Sequence, residues 1–502
     1  MLLRFIGRLA GLSLVLVLGA VTTSAEPAKP LTHQLDPAGG SVTSPLARRP
    51  AQTGTYCTTN GPGGVTPGGN GNVAGGTDSG VLSGGGPSGS GVSGPNQACD
   101  LDSIIGGGGG NVIFSGSVNS GKAAFAFIGG GVENFIDGLD GFVGAGAGNI
   151  VAGDEGFIGN GGDNSVSGNE SFIGAGDSSS VKGLASFVGA GRNNVVYEDF
   201  SFAGGGVVNA ITGAYSFLGG GTGNVVGNYR SGVPDKRAGQ YTAIVGGQGN
   251  IGSGNYGFIG GGLGNVESAK YDVVAGGNDN TASGLGAAVP GGRKNNASGT
   301  DSFAGGTASN AENDGAFVWS DDAHGAKPLD STAPNQFLVR SSGGVSFYTS
   351  AALSAGVTLA PGGGSWASIS DRTLKTGISP LDGERILAKV ATLPLSEWSY
   401  MSERGVRHVG PMAQDFFAAF GVGEDDRHIT AIDADGVALS AIQGLYRVER
   451  RQNAHLLEAL AGQERAQGAL RRALAARDDK VASLEARLDA LAAKVASLQR
   501  RR

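Results

Sequence analysis

The chain has 502 residues, a formal net charge of −7 and 95 glycines. The charge is modest for this length, and no segment combines basic with aromatic residues, so nothing suggests nucleic-acid binding. Glycine at this level without a strict Gly-X-Y period excludes collagen and indicates disorder unless a repeat orders the chain.

The first 25 residues have the layout of a secretory signal peptide. Arg4 and Arg8 precede an apolar run from Leu12 to Val21, and small residues end the segment at Ala25. This order predicts export, with cleavage after Ala25. A membrane anchor is the alternative, but the apolar run is short for a bilayer. We therefore expect a secreted or cell-surface protein whose mature chain has no transmembrane segment.

Residues 26–110 form a Gly-, Pro- and Ser-rich segment that contains the two cysteines, Cys57 and Cys99. In an oxidising compartment such a pair favours a disulfide over a metal site, which would need further ligands. We predict a Cys57–Cys99 disulfide, and we predict no metal ion and no cofactor.

The middle of the chain is a repeat of about 15 residues. An apolar anchor recurs at this interval, is interrupted by an insertion that begins at Tyr229, and then resumes. The anchors are Phe127, Phe142, Phe157, Phe172, Phe187, Phe202, Phe217, Ile244, Phe258, Val273, Ala288, Phe303 and Phe317. Such units cannot bury an apolar face alone and must stack. The sequence therefore predicts a mainly β fold in which 111–322 forms a β-solenoid or β-roll.

The phenylalanine column is expected to fill the solenoid interior, because each turn needs a large apolar residue there. An asparagine recurs seven residues after most anchors. Gly and Asn tolerate positive φ, so we assign this column to tight turns rather than to calcium binding, which would need regular Asp. The asparagines are Asn134, Asn149, Asn164, Asn194, Asn209, Asn224, Asn265, Asn280, Asn295 and Asn310.

Each unit has an apolar pair, a Gly-rich turn, an Asn, an apolar residue and a Gly, as in FIGGGVENFIDG from Phe127. In this order of parts the units resemble the head repeats of trimeric autotransporter adhesins. The resemblance implies a left-handed parallel β-roll with three chains side by side. Those heads usually carry Ala where this chain has Phe.

Residues 323–369 read as connecting strands and a Gly/Ser-rich linker. Directly after them, Ser370 is followed by Asp371, and Lys375 lies five residues after the serine. A serine hydroxyl becomes nucleophilic when a base takes its proton, and a lysine can be that base only when it is neutral. An ordinary polar turn that opens a domain is the alternative interpretation.

Four further segments follow this motif in order. They are a Leu-rich helix at 386–393, Trp398 with Tyr400, RHVGPMAQDF at 407–416 and IDADGVALSAIQGLY at 432–446. Together with Ser370 and Lys375 they resemble the intramolecular chaperone domain of endosialidase tailspikes. The resemblance covers 370–448 and implies a small α+β domain that assembles trimers. It also implies a Ser-Lys dyad that cleaves the Ile369–Ser370 bond once per chain.

Other residues near this motif are given smaller roles. Asp371 either orients the dyad or caps the following turn, and the resemblance does not decide between the two. Family members often carry Arg three residues after the serine, whereas Arg372 comes two residues after it here, so Arg372 receives no role. His408 and Gln414 are interpreted as packing residues around the trimer centre, since no acidic partner spacing supports a Ser/His triad.

Residues 449–502 carry a heptad pattern typical of a coiled coil. Position a holds Leu474, Val481, Leu488 and Val495, and position d holds Leu470, Leu484, Leu491 and Leu498. Val at a with Leu at d favours two strands. The expectation of three chains therefore comes from the resemblance.

The sequence thus predicts a secreted homotrimeric fibre or adhesin-like surface protein. Its chaperone domain would drive trimer assembly and then act as a single-turnover serine peptidase without an external substrate. The external partner would be a cell surface or a glycan. Two alternatives stay open: an uncleaved chaperone that clamps the trimer permanently, and a glycan-degrading spike. A glycosidase needs paired carboxylates, but acids such as Asp154 and Glu155 form no recurring pair.

Overall fold

The computed structural model describes residues 56–68, 71–85, 94–116, 120–230, 233–322 and 327–501. The predicted signal peptide lies outside these ranges. Within them, no helix is both long and apolar enough to cross a membrane.

The front sheet of a β-solenoid is built from parallel strands that each pair with the strand one turn away. The register is in phase with the repeat, so that Phe172 pairs with Phe157 and Phe187. The strands are Gly80–Val81, Ile104–Ile105, Phe127–Ile128, Phe142–Val143, Phe157–Gly162, Phe172–Asp177, Phe187–Val188, Phe202–Ala203, Phe217–Leu218, Ala243–Ile244, Phe258–Ile259, Val273–Val274, Ala288–Val289, Gly292–Arg293, Phe303–Thr307, Phe317–Ser320 and Phe337–Arg340.

The back sheet takes one parallel strand from each turn in the same way. Its strands are Val73–Ala74, Gln97–Ala98, Val112–Ile113, Phe135–Ile136, Ile150–Val151, Ser165–Val166, Ser180–Val181, Val195–Val196, Ala210–Ile211, Val225–Val226, Ile251–Gly252, Val266–Glu267, Thr281–Ala282, Asn296–Ala297, Ser309–Ala311 and Leu329–Asp330. The predicted mainly β solenoid with turns of about 15 residues is confirmed. The parallel pairing extends beyond 111–322 on both sides.

Glycine dominates the turns because neighbouring turns approach each other closely. At Gly146, for example, φ is +116°, and an added Cβ would lie 2.0 Å from the carbonyl oxygen of Gly161. A side chain there would require left-handed backbone and would overlap the next turn. The high glycine content is therefore a product of stacking.

The phenylalanine column does not fill the interior, contrary to the sequence-based expectation. The core is formed by the residue that follows each phenylalanine, such as Ile158, Ile173 and Val188, all with no exposed surface. Successive residues of a strand point to opposite faces, so the phenylalanines lie on the outside. Their rings stack there, with centroids 4.5 Å apart for Phe157 and Phe172.

The anchor after the insertion also needs correction. Ala243, and not Ile244, pairs with Phe217 and with Phe258. Ile244 therefore lies in the core, where it is fully buried. The insertion itself contains a short antiparallel hairpin of strands Tyr229–Arg230 and Val233–Pro234.

The asparagine column has a different role from the one predicted. These side chains are buried and form a hydrogen-bonded ladder: the Asn209 backbone N–H donates to Asn194 Oδ1 at 3.1 Å. Its Nδ2 donates to the carbonyl oxygens of Gly205 and Gly221. Positive φ falls on the preceding residue, Val208, at 57°. The asparagines thus satisfy backbone groups that would otherwise be buried without partners.

The ladder departs from the sequence-based assignment at several positions. Asn250, which comes six residues after the predicted anchor Ile244, occupies the position between Asn224 and Asn265. At the far end, Ser309 rather than Asn310 follows Asn295, because the Ser309 backbone N–H donates to Asn295 Oδ1 at 3.0 Å.

After the solenoid, three antiparallel strands at Val345–Tyr348, Gly356–Leu359 and Trp366–Ser368 form a small sheet. A small α+β unit then begins with a 3-10 helix, Arg372–Leu374. It continues with helix α1 (Gly383–Val390), a two-stranded antiparallel sheet of Ser396–Trp398 and His408–Gly410, helix α2 (Ala413–Phe420) and helix α3 (Ala431–Gln499).

Helix α1 packs against the first part of α3 through two glycines. An added Cβ on Gly444 would lie 2.1 Å from the carbonyl oxygen of Gly383, so glycine at position 444 permits this close approach. Asp382 caps α1 by accepting hydrogen bonds from the backbone N–H groups of Glu384 and Arg385. The rest of α3 leaves its heptad leucines exposed, including Leu470 at 71%. A coiled coil through these leucines requires other chains and stays a prediction.

Candidate functional site

Ser370 and Lys375 lie side by side. Lys375 Nζ is 2.6 Å from Ser370 Oγ, within hydrogen-bonding distance. The five-residue separation is bridged by the 3-10 helix Arg372–Leu374, which turns the chain back on itself. Both side chains are exposed in the single chain. The structure thus brings together the two residues that the sequence singled out.

Asp371 caps the turn that makes this contact. Its carboxylate accepts hydrogen bonds from the backbone N–H and from the hydroxyl of Thr373, both at 2.8 Å. These hydrogen bonds from Thr373 lower the pKa of Asp371 below its usual value. Of the two roles left open by the sequence, the structure shows the cap. The carboxylate shapes the short helix that sets the distance between Ser370 and Lys375.

The predicted scissile bond lies at a boundary in the chain. The strand Trp366–Ser368 ends one residue before Ile369. The chain divides into two compact units between Ser368 and Ile369, so the Ile369–Ser370 bond lies at the start of the second unit.

His408 contacts aromatic residues on the two-stranded sheet. Its ring stacks on Trp398 with a centroid distance of 4.7 Å and meets Tyr400 edge-on at 5.5 Å. Its Nε2 lies 3.5 Å from Glu403 Oε2, an ion pair only when the imidazole is protonated. These contacts agree with a packing role.

Gln414 lies in the first turn of α2 and is exposed in the single chain. The side chain that α2 buries is Phe416, which contacts Phe420 at a ring distance of 4.9 Å. The proposed role of Gln414 and His408 at a trimer centre stays a prediction.

Cys57 and Cys99 are joined in a disulfide, with Cα atoms 5.8 Å apart. Both are buried at the start of the solenoid, and Cys99 directly follows the back-sheet strand Gln97–Ala98. The bond ties the beginning of the described chain to the first stacked turns. It is far in sequence from Ser370 and takes no part in the chemistry there. It stabilises the stacked front and back sheets, residues 73–340, which we call the shaft.

Sequence reasoning missed a second column of aromatic rings on the shaft. Five of these rings, the aromatic ridge, lie at consecutive turns with exposures of 47–52% and positive φ: Phe200, Tyr215, Tyr241, Tyr256 and Tyr271. Bulky residues rarely adopt this conformation. At the other turns this position holds Asp, Glu, Ala, Gly or Asn, and Phe125 is one further ring near the start of the column. The 15-residue spacing of Phe200 and Tyr215, and of Tyr241, Tyr256 and Tyr271, is visible in the sequence and could have revealed the ridge.

Sequence reasoning also missed a buried acid. Glu267 replaces an apolar core residue in the back sheet and has no exposed surface. Neither carboxylate oxygen has a hydrogen-bond partner of good geometry among the described residues. Burial, and then the charge of nearby Asp272, raise its pKa to about 8. An acidic residue at a core position of the repeat was the signal that could have identified it.

Residues 370–421 match a family model described as chaperone of endosialidase, a peptidase family. The match begins at Ser370 and includes Lys375, His408 and Gln414. It supports a role for this part of the chain in the assembly of a fibre-like or tailspike-like trimer. No curated protein is significantly similar to the chain.

Proposed function

We propose, from the endosialidase-type chaperone domain that the chain carries at 370–421, that this domain assembles an exported homotrimeric fibre and then cleaves itself off. The observation that carries the proposal is the 2.6 Å contact between Lys375 Nζ and Ser370 Oγ. A nucleophile in hydrogen-bond contact with a potential base is the geometry that covalent catalysis requires. Its place at the first residue of the domain gives it a substrate, the preceding peptide bond.

The reaction would proceed in two balanced steps. Ser370 Oγ attacks the carbonyl carbon of Ile369 while Lys375 takes the hydroxyl proton. The C–N bond then breaks as the proton passes to the amide nitrogen, which becomes the new amino terminus, and Ile369 is left as an ester on Ser370. Water hydrolyses this ester and releases the Ile369 carboxylate. Each chain would react once, because its substrate is its own backbone.

Assembly would control this chemistry. A lysine acts as a base only in its neutral form, which burial or a nearby cation favours. In the single chain both Ser370 and Lys375 are exposed, so this environment has to be supplied by something else. We propose that neighbouring chains of the trimer cover the pair, which would delay cleavage until the fibre has formed.

The remaining shaft would be an adhesive or structural fibre at the cell surface, with a cell-surface or glycan ligand. Export follows from the signal-peptide layout of the first residues and agrees with the Cys57–Cys99 disulfide, because such bonds persist in oxidising compartments. A glycan-degrading spike is less well supported, because the shaft acids form no recurring carboxylate pair.

Light scattering on the full chain with Ser370→Ala tests the assembly step. This variant lacks the attacking oxygen and should stay whole, so its mass should be that of three chains. A monomer would contradict assembly, and a dimer would indicate that the coiled coil alone sets the number of chains. If the wild-type chain is also trimeric and whole, the domain is a permanent clamp.

A further inference from the structure

We infer that copies of this chain pack against one another through the outer face of the front sheet of their shafts. This contact would keep the oligomer together after the chaperone domain has been cleaved off. This inference rests on the proposed function, because assembly brings the copies together. It goes beyond that proposal by naming the residues through which the copies contact one another.

The outer face of the front sheet carries an unbroken apolar column. Its positions, the front column, are Ile104, Phe127, Phe142, Phe157, Phe172, Phe187, Phe202, Phe217, Ala243, Phe258, Val273, Ala288, Phe303, Phe317 and Phe337. Several of these side chains are well exposed, among them Phe217 at 42% and Phe337 at 68%. Neighbouring rings are nearly parallel, as for Phe172 and Phe187 with 2° between their planes. The column runs the length of the shaft without a charged residue.

A second column keeps this face flat. Two residues after most front-column positions the chain has Gly, and the ring lies over it: a Cβ on Gly174 would lie 3.3 Å from the ring of Phe172. The same Cβ would lie 2.5 Å from the carbonyl oxygen of Gly189. The face therefore has no projecting polar side chain at these positions, and another flat surface can approach it closely. Beyond it lies a column of mixed polarity, with charged Asp177 and Arg192 at two turns and apolar residues at others.

The size of the face matches a protein interface. A phenylalanine can bury about 200 Å², so if roughly a third of each ring is exposed, the phenylalanines of the front column present on the order of 700 Å² per chain. A stable interface uses about 800 Å² per partner. Monomers rarely expose contiguous apolar patches above a few hundred Å².

A second copy fits this face better than an external ligand does. The column repeats with the solenoid register over the whole shaft, and a parallel copy carries the same column at the same spacing. A ligand site would be confined to a few turns, as the aromatic ridge from Phe200 to Tyr271 is. Exposed rings along the entire shaft are explained by a partner of the same length.

Single-cysteine variants of the full chain test this inference. Cys57 and Cys99 are paired with each other, so Phe172→Cys or Phe187→Cys introduces one free thiol. Each variant, made in the Ser370→Ala background, is treated with a short bismaleimide, and its mass is measured by light scattering beforehand. Tyr256→Cys on the aromatic ridge is the matched control, since it is also an exposed ring in a stacked column.

We expect both front-column variants to be linked into pairs of chains and the ridge control to stay unlinked. If the chains are trimeric but neither front-column variant is linked, the inference is wrong while the proposed assembly stands. If the chains are monomeric, the inference and the proposed assembly are both wrong. Linking of the ridge control instead would place the interface on the ridge and would also overturn the inference.

A second set of variants asks whether the column holds the shaft together. Phe157→Ser, Phe172→Ser and Phe187→Ser are combined in the otherwise wild-type chain, and Tyr215→Ser, Tyr241→Ser and Tyr256→Ser are combined as the control. After cleavage, the front-column variant should lose its trimer on dilution at a concentration at which the control is still trimeric. Equal behaviour of the two would contradict the inference.

Discussion

Phe172 and Ile173 are neighbours in the chain and lie on opposite faces of one strand of the front sheet. Ile173 is completely buried between the sheets. Phe172 stacks on the outer face between Phe157 and Phe187, with centroid distances of 4.5 and 4.8 Å. The smaller of the two side chains therefore belongs to the core and the larger one to the surface.

This arrangement predicts different costs for the same substitution at adjacent positions. Ile173→Asn removes buried apolar area and places an amide in the core, so it should destabilise the shaft by about 4 kcal/mol. Phe172→Asn loses only contacts with its stacked neighbours, about 1 kcal/mol in the isolated chain. Thermal unfolding followed by circular dichroism measures both, at a concentration at which light scattering shows single chains. Equal losses would contradict the assignment of faces.

Glu267 predicts an unusual pH dependence. In the folded protein this carboxyl keeps its proton up to about pH 8, whereas in the unfolded chain it releases the proton near its ordinary value of 4.5. Its contribution to stability is therefore complete below about pH 4.5 and is lost as the pH rises to about 8. Between pH 4.5 and pH 7 the free energy of unfolding should fall by about 3 kcal/mol. Asp272 acts in the same direction, because its burial also raises its pKa.

The pH dependence is checked by denaturant unfolding of the shaft at several pH values. Glu267→Gln keeps the shape of the side chain and removes the titration, so its stability should vary less with pH than that of the wild type. Glu155→Gln, at an exposed position, is the control and should leave the wild-type dependence unchanged. If Glu267→Gln keeps the full pH dependence, the buried proton is elsewhere.

The role of Lys375 as a base predicts the effect of two substitutions. Lys375→Ala should abolish cleavage, because no group remains to take the proton of Ser370. Lys375→Arg should also fail, since the guanidinium stays protonated. Both variants should still form trimers by light scattering. Cleavage at the wild-type rate in Lys375→Arg would contradict a proton transfer to this side chain.

The repeat and its period could be predicted from the sequence, and the direction of its side chains could not. Phenylalanine was placed inside because size favours burial. The structure shows the opposite. The space between the two sheets is filled by residues such as Ile173 and Val188, whereas the phenylalanines lie on the outer face over glycines such as Gly174. The asparagines were misassigned for a related reason, because their hydrogen bonds join different turns and have no local signature.

The site was easier to predict because its geometry is local. Ser370 and Lys375 are separated by one short helix that Asp371 caps, so their proximity follows from a few residues. The environment that would make Lys375 a base is not local. It depends on other chains, and no pattern within a single sequence specifies which residues of a neighbour would cover the pair.

The intact mass of the purified product tests the central claim most directly, since it reports both whether the chain is cut and where. The wild-type chain should give two species, and the C-terminal one should begin at Ser370 and end at Arg502. Ser370→Ala should give the whole exported chain. A wild-type chain that stays whole after trimer assembly, or a Ser370→Ala chain still cut between positions 369 and 370, would contradict the dyad.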